Sequence, residues 1–456
     1  MRTTSTRYND HESLERSLGA LCDEAKAAMS RYVNLADAVE FSVKRKTVWG
    51  FALTGQDICP IAETQDTQLS VKAFDSGRVG FSKMSGPRVD IDAGIELALE
   101  GTMPGSRGPV FTGSRHGASP MSYDPRLLSY LGAEGAFAEL AEAVLDNTWH
   151  EAGRIPGLQS AEGTIRYEIE ECLASVAGET VTSIAGALTT ELTLNGGFGE
   201  YVVQVQAPES MLPTALIGAR SWRNCPKTSV QGLDGAAVGL REVVLHPRVT
   251  EALLRKYLPA LIGQKDAPFG IGRSVGCSEL TIIDDPRLDG LRTSRSFDDQ
   301  GVATSRLALV VDGRVTSGFR ERSKPTGCGH LWLSDNGDLH QSLSSLLVNR
   351  GDEGFHRLLD ASPNRIIINR IGPFSELDLQ AGRFACPIEW AVWVRKGLPN
   401  QLLSPGSLTL EGSIFGGPSQ GETGIFSGAR LSHELNDTGS AVLPYLFTQC
   451  IVRPSA

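Results

Sequence analysis

A cysteine and a histidine two residues apart form the pair of side chains best suited to nucleophilic chemistry, in the segment Ser323-Lys-Pro-Thr-Gly-Cys328-Gly-His330. A thiol is a useful nucleophile only as the thiolate, and a nearby imidazole or cation lowers the pKa of the thiol. The glycines on both sides of Cys328 leave its sulfur accessible. The spacing therefore favours Cys328 as a nucleophile with His330 as its partner. The alternative is a packed cysteine beside a surface histidine.

A second candidate nucleophile is Cys386, which has Glu389 three residues further along the chain. A cysteine, a histidine and a carboxylate form a catalytic set when they meet in space, whatever their separation in sequence. Either Cys386 or Cys328 could be the thiol of such a set. The histidines available to it are His330, His246 and His340. The sequence leaves these combinations open.

The spacing of the 8 cysteines argues against two other uses of sulfur. No two of them form a CxxC pair, which disfavours both a disulfide scaffold and a thiolate zinc site. Cys225 and Cys277 lie in turn-like surroundings, and we expect both to be inert.

Residues 243–262 begin as a short strand and continue as an amphipathic helix. Five apolar side chains share one helical face: Leu253, Leu254, Tyr257, Leu258 and Leu261. Pro247 near the start and Gly263 after the end suit the two ends of a helix. We expect His246, just before the helix, to be a cap or a packed residue.

Residues 281–313, TIIDDPRLDGLRTSRSFDDQGVATSRLALVVDG, resemble a signature segment of the PmbA/TldD family. Within them Ser294-Arg-Ser-Phe-Asp-Asp-Gln-Gly301-Val is similar to the family pattern S-x-P-F-D-x-E-G-V, with Gln300 at the Glu position. The resemblance implies that this loop borders a substrate cleft. The alternative is that Asp298 and Gly301 only hold a tight turn.

The PmbA/TldD family contains zinc peptidases of the TldD type and metal-free partners of the TldE (PmbA) type. In TldD-type members the helix that matches residues 247–262 carries H-E-x-x-x-H, which a gapless alignment places on Arg255, Lys256 and Ala260. Arginine is a permanent cation and alanine has no donor atom, so these residues cannot form the zinc site. We therefore predict no metal and no cofactor, and we expect Arg255 and Lys256 to lie on a solvated or partner-facing surface.

Residues 382–397, GRFACPIEWAVWVRKG, are similar to a TldD strand pair of the type G-x-F-x-x-x-x-x-E-A-x-x-I-E-N-G. The family glutamate falls on Trp390, and Glu389 stands one residue earlier. A shift of one residue turns a strand side chain to the opposite face, so the resemblance does not transfer a role to Glu389 directly.

Composition excludes several classes of function. A net charge of -10 argues against broad phosphate-backbone binding, which needs clustered lysine and arginine, so we predict no nucleic-acid partner. The N-terminus has no apolar core of a signal peptide, and the apolar runs, such as Leu307–Val311, are far shorter than a bilayer span. We therefore predict a cytoplasmic protein without a membrane partner.

Periodicity along the chain predicts an α+β fold. An amphipathic helix is expected at 12–32, strands around Val39–Val43 and Leu69–Phe74, a helix around Ile91–Leu99, a loop at 101–125 and a helix at 133–147. Residues 163–206 alternate in polarity and contain the hairpin signal Asn195-Gly-Gly.

The chain is long enough for two cores, and a boundary is indicated by the turn-rich residues 225–240. We predict an N-terminal domain, residues 1–235, with an antiparallel sheet and helices. A β-rich, barrel-like domain of the TldD/PmbA type is predicted for residues 236–456.

Two functions remain open. In the first, the chain is a divergent TldE-like member that acts on amide bonds: a cysteine accepts an aminoacyl or peptide-like group from an activated donor, such as a carrier-protein thioester, and passes it to an amine. Divergent relatives in pathways to lincosamide-like antibiotics suggest this reaction. In the second, the chain is a catalytically silent TldE-like subunit that pairs with a zinc-bearing TldD-like partner. The resemblance implies a homo- or heterodimer in either case.

Overall fold

The structure describes two helices and eight strands with printed bounds before residue 207, where most of residues 105–157 lie outside the described part of the chain. The computed structural model describes residues 11–54, 57–104, 121–122, 139, 158–176, 179–196, 199–206, 237–262, 267–288, 291, 293–299, 302–318, 330–333, 339–362, 364–396, 401–403, 405–415, 424–438 and 440–455. In chain order the first elements are α1 (His11–Tyr32), β1 (Ala38–Thr54), β2 (Asp57–Asp75), β3 (Arg78–Gly86), α2 (Ile91–Glu100), β4 (Met103–Pro104), β5 (Met121–Ser122), β6 (Leu158–Val176), β7 (Glu179–Gly196) and β8 (Gly199–Gln206).

The eight strands form one sheet in the order β4-β3-β2-β1-β6-β7-β5, with β8 on β7. Leu69 and Val71 of β2 alternate with polar residues, so their side chains share one face, where they pack with the apolar faces of α1 and α2. The β2–β3 hairpin turns at Ser76 and Gly77, whose φ angles are 51° and 76°. The predicted helices at 12–32 and 91–99 and the hairpin after Asn195 are confirmed.

The rest of the chain forms a second set of elements. In chain order these are β9 (Gly239–Leu245), α3 (Pro247–Leu261), β10 (Ile282–Asp284), β11 (Leu307–Val311), β12 (Arg314–Val315), β13 (Leu331–Leu333), β14 (Leu339–Gln341), β15 (Leu346–Val348), α4 (Phe355–Asp360), β16 (Asn364–Ile371), β17 (Glu376–Asp378), β18 (Arg383–Arg395), β19 (Gln401–Leu402), β20 (Leu408–Ser413), β21 (Arg430–Asp437) and β22 (Ala441–Pro454).

Five of these strands close into a barrel. The path β22-β20-β18-β16-β9 returns to its start because β9 also pairs with β22. Strands β15, β10, β11 and β12 extend the sheet outward from β22. The apolar face of α3 packs with the inward side chains of the barrel strands in one core. The α+β class, with an antiparallel N-terminal sheet and a barrel-like C-terminal domain, is confirmed.

The two sheets lie on either side of residues 207–236, which are outside the described part of the chain. The predicted boundary between residues 235 and 236 therefore stays a prediction, as do the helix at 133–147 and most of the loop at 101–125. Among the described helices, none is both long and apolar enough to cross a bilayer.

Charged side chains join the first sheet to the loop that follows β10. Lys44 on β1 lies 2.8 Å from Asp299, and Arg295 lies 2.8 Å from Glu170 on β6. Phe297, between the two loop charges, packs against an apolar patch on β6 and β7. The segment that resembles the family signature is therefore a junction between the two halves of the molecule.

Candidate functional site

The imidazole of His330 is held between two oxygen atoms. Its Nδ1 lies 2.9 Å from Oδ2 of Asp284, and its Nε2 lies 3.0 Å from the carbonyl oxygen of Ser305. The His330 side chain is 1% exposed and that of Asp284 is 0% exposed. Asp284 ends β10, where a buried three-residue strand brings its carboxylate below the segment that carries His330.

Both neighbours of the His330 ring are acceptors, which favours a proton on each nitrogen. Burial lowers the pKa of His330, but its hydrogen bond and ion pair with Asp284, the Ser305 carbonyl and the charge of Asp298 raise it. The net effect is a pKa above the ordinary histidine value. The two acceptors around the ring and the raised pKa therefore favour the imidazolium form of His330.

Ser344 anchors the Asp284 carboxylate from the other side. Its backbone N–H donates to both carboxylate oxygens at 3.1 Å, and its Oγ donates to Oδ1 at 2.9 Å. A carboxylate that accepts this many hydrogen bonds is fixed in orientation. The pair of Asp284 and His330 is thus rigidly placed.

Arg255 on α3 makes contacts that the sequence did not predict. Its Nε lies 2.6 Å from Oε1 of Glu251, one turn earlier on the helix. Its Nη1 donates to the carbonyl of Leu343 at 3.1 Å, and its Nη2 donates to those of Ser344 at 2.8 Å and Ser440 at 2.7 Å. A solvated surface is wrong for Arg255, whose side chain is only 26% exposed, and the partner-facing alternative stays a prediction. Lys256 is exposed, as expected.

The residues at the three positions of H-E-x-x-x-H do not fit a metal ion. The guanidinium of Arg255 directs its N–H groups at a carboxylate and three carbonyls, so it offers a cation no lone pair. Lys256 is exposed, and Ala260 has no donor. Across the described ranges, no group of three or more His, Cys, Asp or Glu side chains is placed to hold a metal.

The structure does not bring Cys386 and Glu389 together. Cys386 lies in the barrel core at 0% exposure, and burial raises the pKa of its thiol to about 12. Glu389 lies where the pairing of β16 and β18 is irregular, and its Oε2 is 2.6 Å from Nε of Arg370. The expected strand pair at 382–397 is a single strand, β18. These surroundings disfavour Cys386 as a nucleophile and Glu389 as its carboxylate.

Cys328 and the side chain of His340 lie outside the described residues, so their predicted roles stay predictions. His246 was expected to be a cap or a packed residue, and the structure shows that it is the N-cap of α3. Its Nδ1 accepts a hydrogen bond from the backbone N–H of Arg248 at 3.2 Å. Burial, and then the charge of Arg248, lower the pKa of His246 to about 3. His246 is therefore neutral at pH 7, and its Nδ1 is occupied by the capping hydrogen bond.

The loop after β10 is held by its own side chains. Oδ1 of Asp298 accepts from the backbone N–H of Val302 at 3.0 Å, and the Asp298 N–H donates to the Val302 carbonyl at 2.9 Å. The turn-holding role of Asp298 is confirmed. Ser294 and Ser345 place their hydroxyl groups 3.1 Å apart, which ties this loop to the strand after Ser344.

Asp284, Ser344 and Glu251 are the site residues that sequence reasoning missed. Asp284 stands in the segment that resembles the family signature, directly after two isoleucines. An acidic residue at the end of so short an apolar run is a signal for a buried carboxylate with a partner. The contacts of Ser344 and Glu251 depend on long-range packing and leave no such signal.

A cavity of ≈ 890 Å³ lies elsewhere on the barrel, lined in part by Glu242, Arg365 and Arg430. Neither His330, Asp284 nor Arg255 lines it. Its charges pair with each other or with neighbours: Arg365 lies 3.1 Å from Glu242, and Arg430 lies 2.5 Å from Glu353. This cavity is therefore separate from the His330–Asp284 pair.

Comparison with known families matches residues 239–416 to the PmbA/TldA metallopeptidase C-terminal domain. A metalloprotease from Methanocaldococcus jannaschii is 24% identical over 200 residues, which cover 41% of this chain. That match spans 42% of the length of the relative.

Solved structures share the fold over almost the whole chain. TldE from Thermococcus kodakarensis superimposes with a TM-score of 0.74 at 14% identity, covering 94% of this chain and 99% of that one. A candidate modulator of a DNA gyrase from Thermotoga maritima gives 0.73 at 12% identity, over 95% and 100% of the two chains. One from Bacteroides thetaiotaomicron gives 0.67 at 16% identity, over 95% and 98%.

Proposed function

We propose that this chain, whose residues 239–416 match the PmbA/TldA metallopeptidase C-terminal domain, acts on amide bonds with a cysteine in place of a metal. The residues at positions 255, 256 and 260 offer no ligand set for zinc. Amide chemistry then needs another nucleophile, and Cys328 is the candidate that lies two residues before His330 in the sequence.

One observation carries the proposal: His330, two residues after Cys328 in the sequence, is buried with its Nδ1 2.9 Å from Oδ2 of Asp284, an arrangement that favours the imidazolium form. A fixed positive charge favours the thiolate form of a neighbouring cysteine. In this proposal Cys328 is the nucleophile, His330 stabilises its thiolate, and Asp284 keeps His330 charged and oriented. Because Nε2 of His330 faces the Ser305 carbonyl, His330 serves in this proposal as an electrostatic partner of the thiolate and not as a proton acceptor.

The proposed reaction is acyl transfer to an amine. The Cys328 thiolate attacks the carbonyl carbon of an aminoacyl thioester, the carbon–sulfur bond of the donor breaks, and the donor leaves as a thiolate. The amine then attacks the acyl-enzyme, which releases the amide, a proton and the Cys328 thiolate. No ATP is consumed at this step, because the thioester is already activated. The resemblance to divergent relatives favours lincosamide-like antibiotic biosynthesis and a carrier-protein donor.

A second candidate function is a catalytically silent TldE-like subunit that assembles with a zinc-bearing TldD-like partner. The similarity in fold to TldE over 94% of this chain supports it, since nothing in that fold requires a nucleophile. The two candidates differ in one chemical property, the reactivity of Cys328 in the chain alone.

Alkylation of the purified chain with iodoacetamide at pH 7, with the labelled sites found by mass spectrometry, tests the proposal. Cys59, which is exposed, serves as the internal control. We expect Cys328 to react about tenfold faster than Cys59, because a thiolate reacts and a thiol does not. His330→Gln should bring the rate of Cys328 down to that of Cys59.

An aminoacyl thioester should also leave a mass increment of one acyl group on Cys328, which an added amine removes. Equal alkylation of Cys328 and Cys59, with amide activity only after a zinc-bearing partner is added, would establish the silent subunit instead.

A further inference from the structure

We infer that Arg255 is a positioning residue: its guanidinium stands in for a bound cation and holds together the three chain segments that orient His330. These segments are helix α3, the residues around Ser344 and the residues around Ser440. As a residue that acts through His330, Arg255 matters for catalysis only if the proposed function holds. Its effect on the state of His330 does not depend on that.

The donors of Arg255 are used almost completely. Nε lies on Glu251, Nη1 donates to the Leu343 carbonyl, and Nη2 donates to the carbonyls of Ser344 and Ser440, all within 3.1 Å. Carbonyl oxygens gathered around a positive centre resemble the surroundings of a bound cation. A planar guanidinium matches these directions, whereas a lysine ammonium presents a single point charge.

Glu251 completes the cluster. Its Oε1 accepts from Nε of Arg255 and from Oγ of Ser440, and its side chain is 11% exposed. Glu251 and Arg255 are four residues apart on α3, so their side chains lie on the same side of the helix. The ion pair neutralises the guanidinium locally, and the cluster carries no net charge.

Ser344 connects this cluster to the candidate site. Its carbonyl accepts from Arg255, while its N–H and Oγ donate to Asp284. Only one residue therefore separates the guanidinium from the carboxylate that holds His330. If the Arg255 bonds are lost, the segment at Ser344 is released, and the geometry of Asp284 against His330 relaxes.

The test is the titration of His330, observed by NMR on protein with labelled histidine rings. The groups that face His330 are Asp284, the Ser305 carbonyl and the charge of Asp298. We expect Arg255→Met to lower the pKa of His330 by roughly one unit, because the ion pair with Asp284 loosens. Arg255→Lys should give an intermediate value, since it keeps the charge and loses the fork of donors.

Arg365→Lys is the matched control: the Arg365 side chain is 8% exposed, and it forms its ion pair with Glu242 of β9. It should leave the His330 titration unchanged. An unaltered His330 pKa in Arg255→Met and Arg255→Lys, even with a lower unfolding temperature, would overturn the inference. If Arg255→Met fails to fold, Arg255→Lys decides alone: a lowered His330 pKa supports the inference, and an unchanged one overturns it.

The two proposals fail separately. An inert Cys328 in a chain whose His330 still responds to Arg255→Lys refutes the cysteine chemistry and leaves Arg255 as a positioning residue. If Cys328 is reactive but the pKa of His330 is the same in the wild type and in the Arg255 variants, only the positioning role of Arg255 is refuted.

Discussion

At the scale of single residues, His330 and Asp284 form a buried ion pair whose two members depend on each other. An unpaired charge in such surroundings would be costly, and here each charge has an opposite neighbour at 2.9 Å. Because the folded pKa of His330 is raised, the pair stabilises the fold fully below the unfolded pKa of about 6.5. That contribution is lost as the pH rises through the folded pKa.

Replacing Asp284 with Asn tests this directly. The variant removes the carboxylate that keeps the buried imidazole charged, so the free energy of unfolding at pH 6 should fall by about 3 kcal/mol. The loss should be smaller at pH 9, where His330 in the wild type is closer to neutral. Urea unfolding at both pH values measures the two differences.

Asp378→Asn is the control for that variant, because Asp378 pairs with Arg383 at 3.1 Å on the surface. It should change stability little at either pH. A loss for Asp284→Asn that is the same at pH 6 and pH 9 would show that His330 does not carry the charge assigned to it.

The thiol of Cys386 gives a second residue-scale prediction. Its pKa of about 12 and its place in the barrel core leave it protonated and shielded at neutral pH. Cys386→Ala should therefore leave the iodoacetamide labelling of the folded chain unchanged at pH 7. Peptide mapping after labelling measures this. Appearance of labelled Cys386 in the folded wild type would restore it as a candidate nucleophile.

The role of a residue was predictable from the sequence where its partners are close along the chain, and it was missed where they are distant. The cap role of His246 and the turn role of Asp298 follow from contacts within four residues along the chain. The role of Arg255 was missed because three of its partners are carbonyls at positions 343, 344 and 440. Backbone carbonyls carry no residue-type signal, so only the fold reveals them.

At the scale of elements, periodicity located helices α1, α2 and α3 and the strands around Val39–Val43 and Leu69–Phe74. The apolar face of α3 was predicted residue by residue, because a helix repeats its contacts every three or four positions. Closure of the barrel was not derivable in that way. It depends on β9 pairing with both β16 and β22, and the pairing partners of a strand are set by tertiary contacts.

The start of α3 yields a prediction about pH. His246 is neutral in the fold, with a pKa lowered to about 3, so the fold loses stability as the pH falls below the unfolded pKa of about 6.5. Between pH 7 and pH 5 this group alone should cost roughly 2 kcal/mol. His246→Asn keeps a cap acceptor and removes that loss, which urea unfolding at the two pH values can measure.

His246→Ala is the companion variant: without the acceptor for the Arg248 N–H, it should be less stable than His246→Asn by about 1 kcal/mol at pH 7. Equal acid sensitivity in the wild type and His246→Asn would contradict the neutral state of His246.

At the scale of the whole molecule, the loop after β10 joins the two halves of the chain. Asp299 is 5% exposed and lies 2.8 Å from Lys44 of the first sheet and 3.8 Å from Arg295 of its own loop. The same loop is tied through Ser294 to Ser345, next to the residue that anchors Asp284. The docking of the two halves and the candidate site therefore share one structural element.

Lys44 and Lys46 offer a matched pair of variants on β1. Both form ion pairs at 2.8 Å, but Lys44 reaches Asp299 across the junction, and Lys46 reaches Glu168 within the sheet. Lys44→Met should expose the junction, with faster hydrogen exchange at residues 293–299, and should lower stability by roughly 2 kcal/mol. Lys46→Met should leave that exchange unchanged. The same exchange in both variants would mean that the Lys44 pair does not hold the junction.

The central claim is that a guanidinium stands where the family resemblance expects zinc ligands. Measurement of the metal content of the purified chain alone, after dialysis against excess zinc and then buffer, tests it most directly. We predict far less than one zinc per chain, with no difference between the wild type and Arg255→Lys. One equivalent of tightly bound zinc in the wild type would contradict the claim and the metal-free chemistry proposed from it.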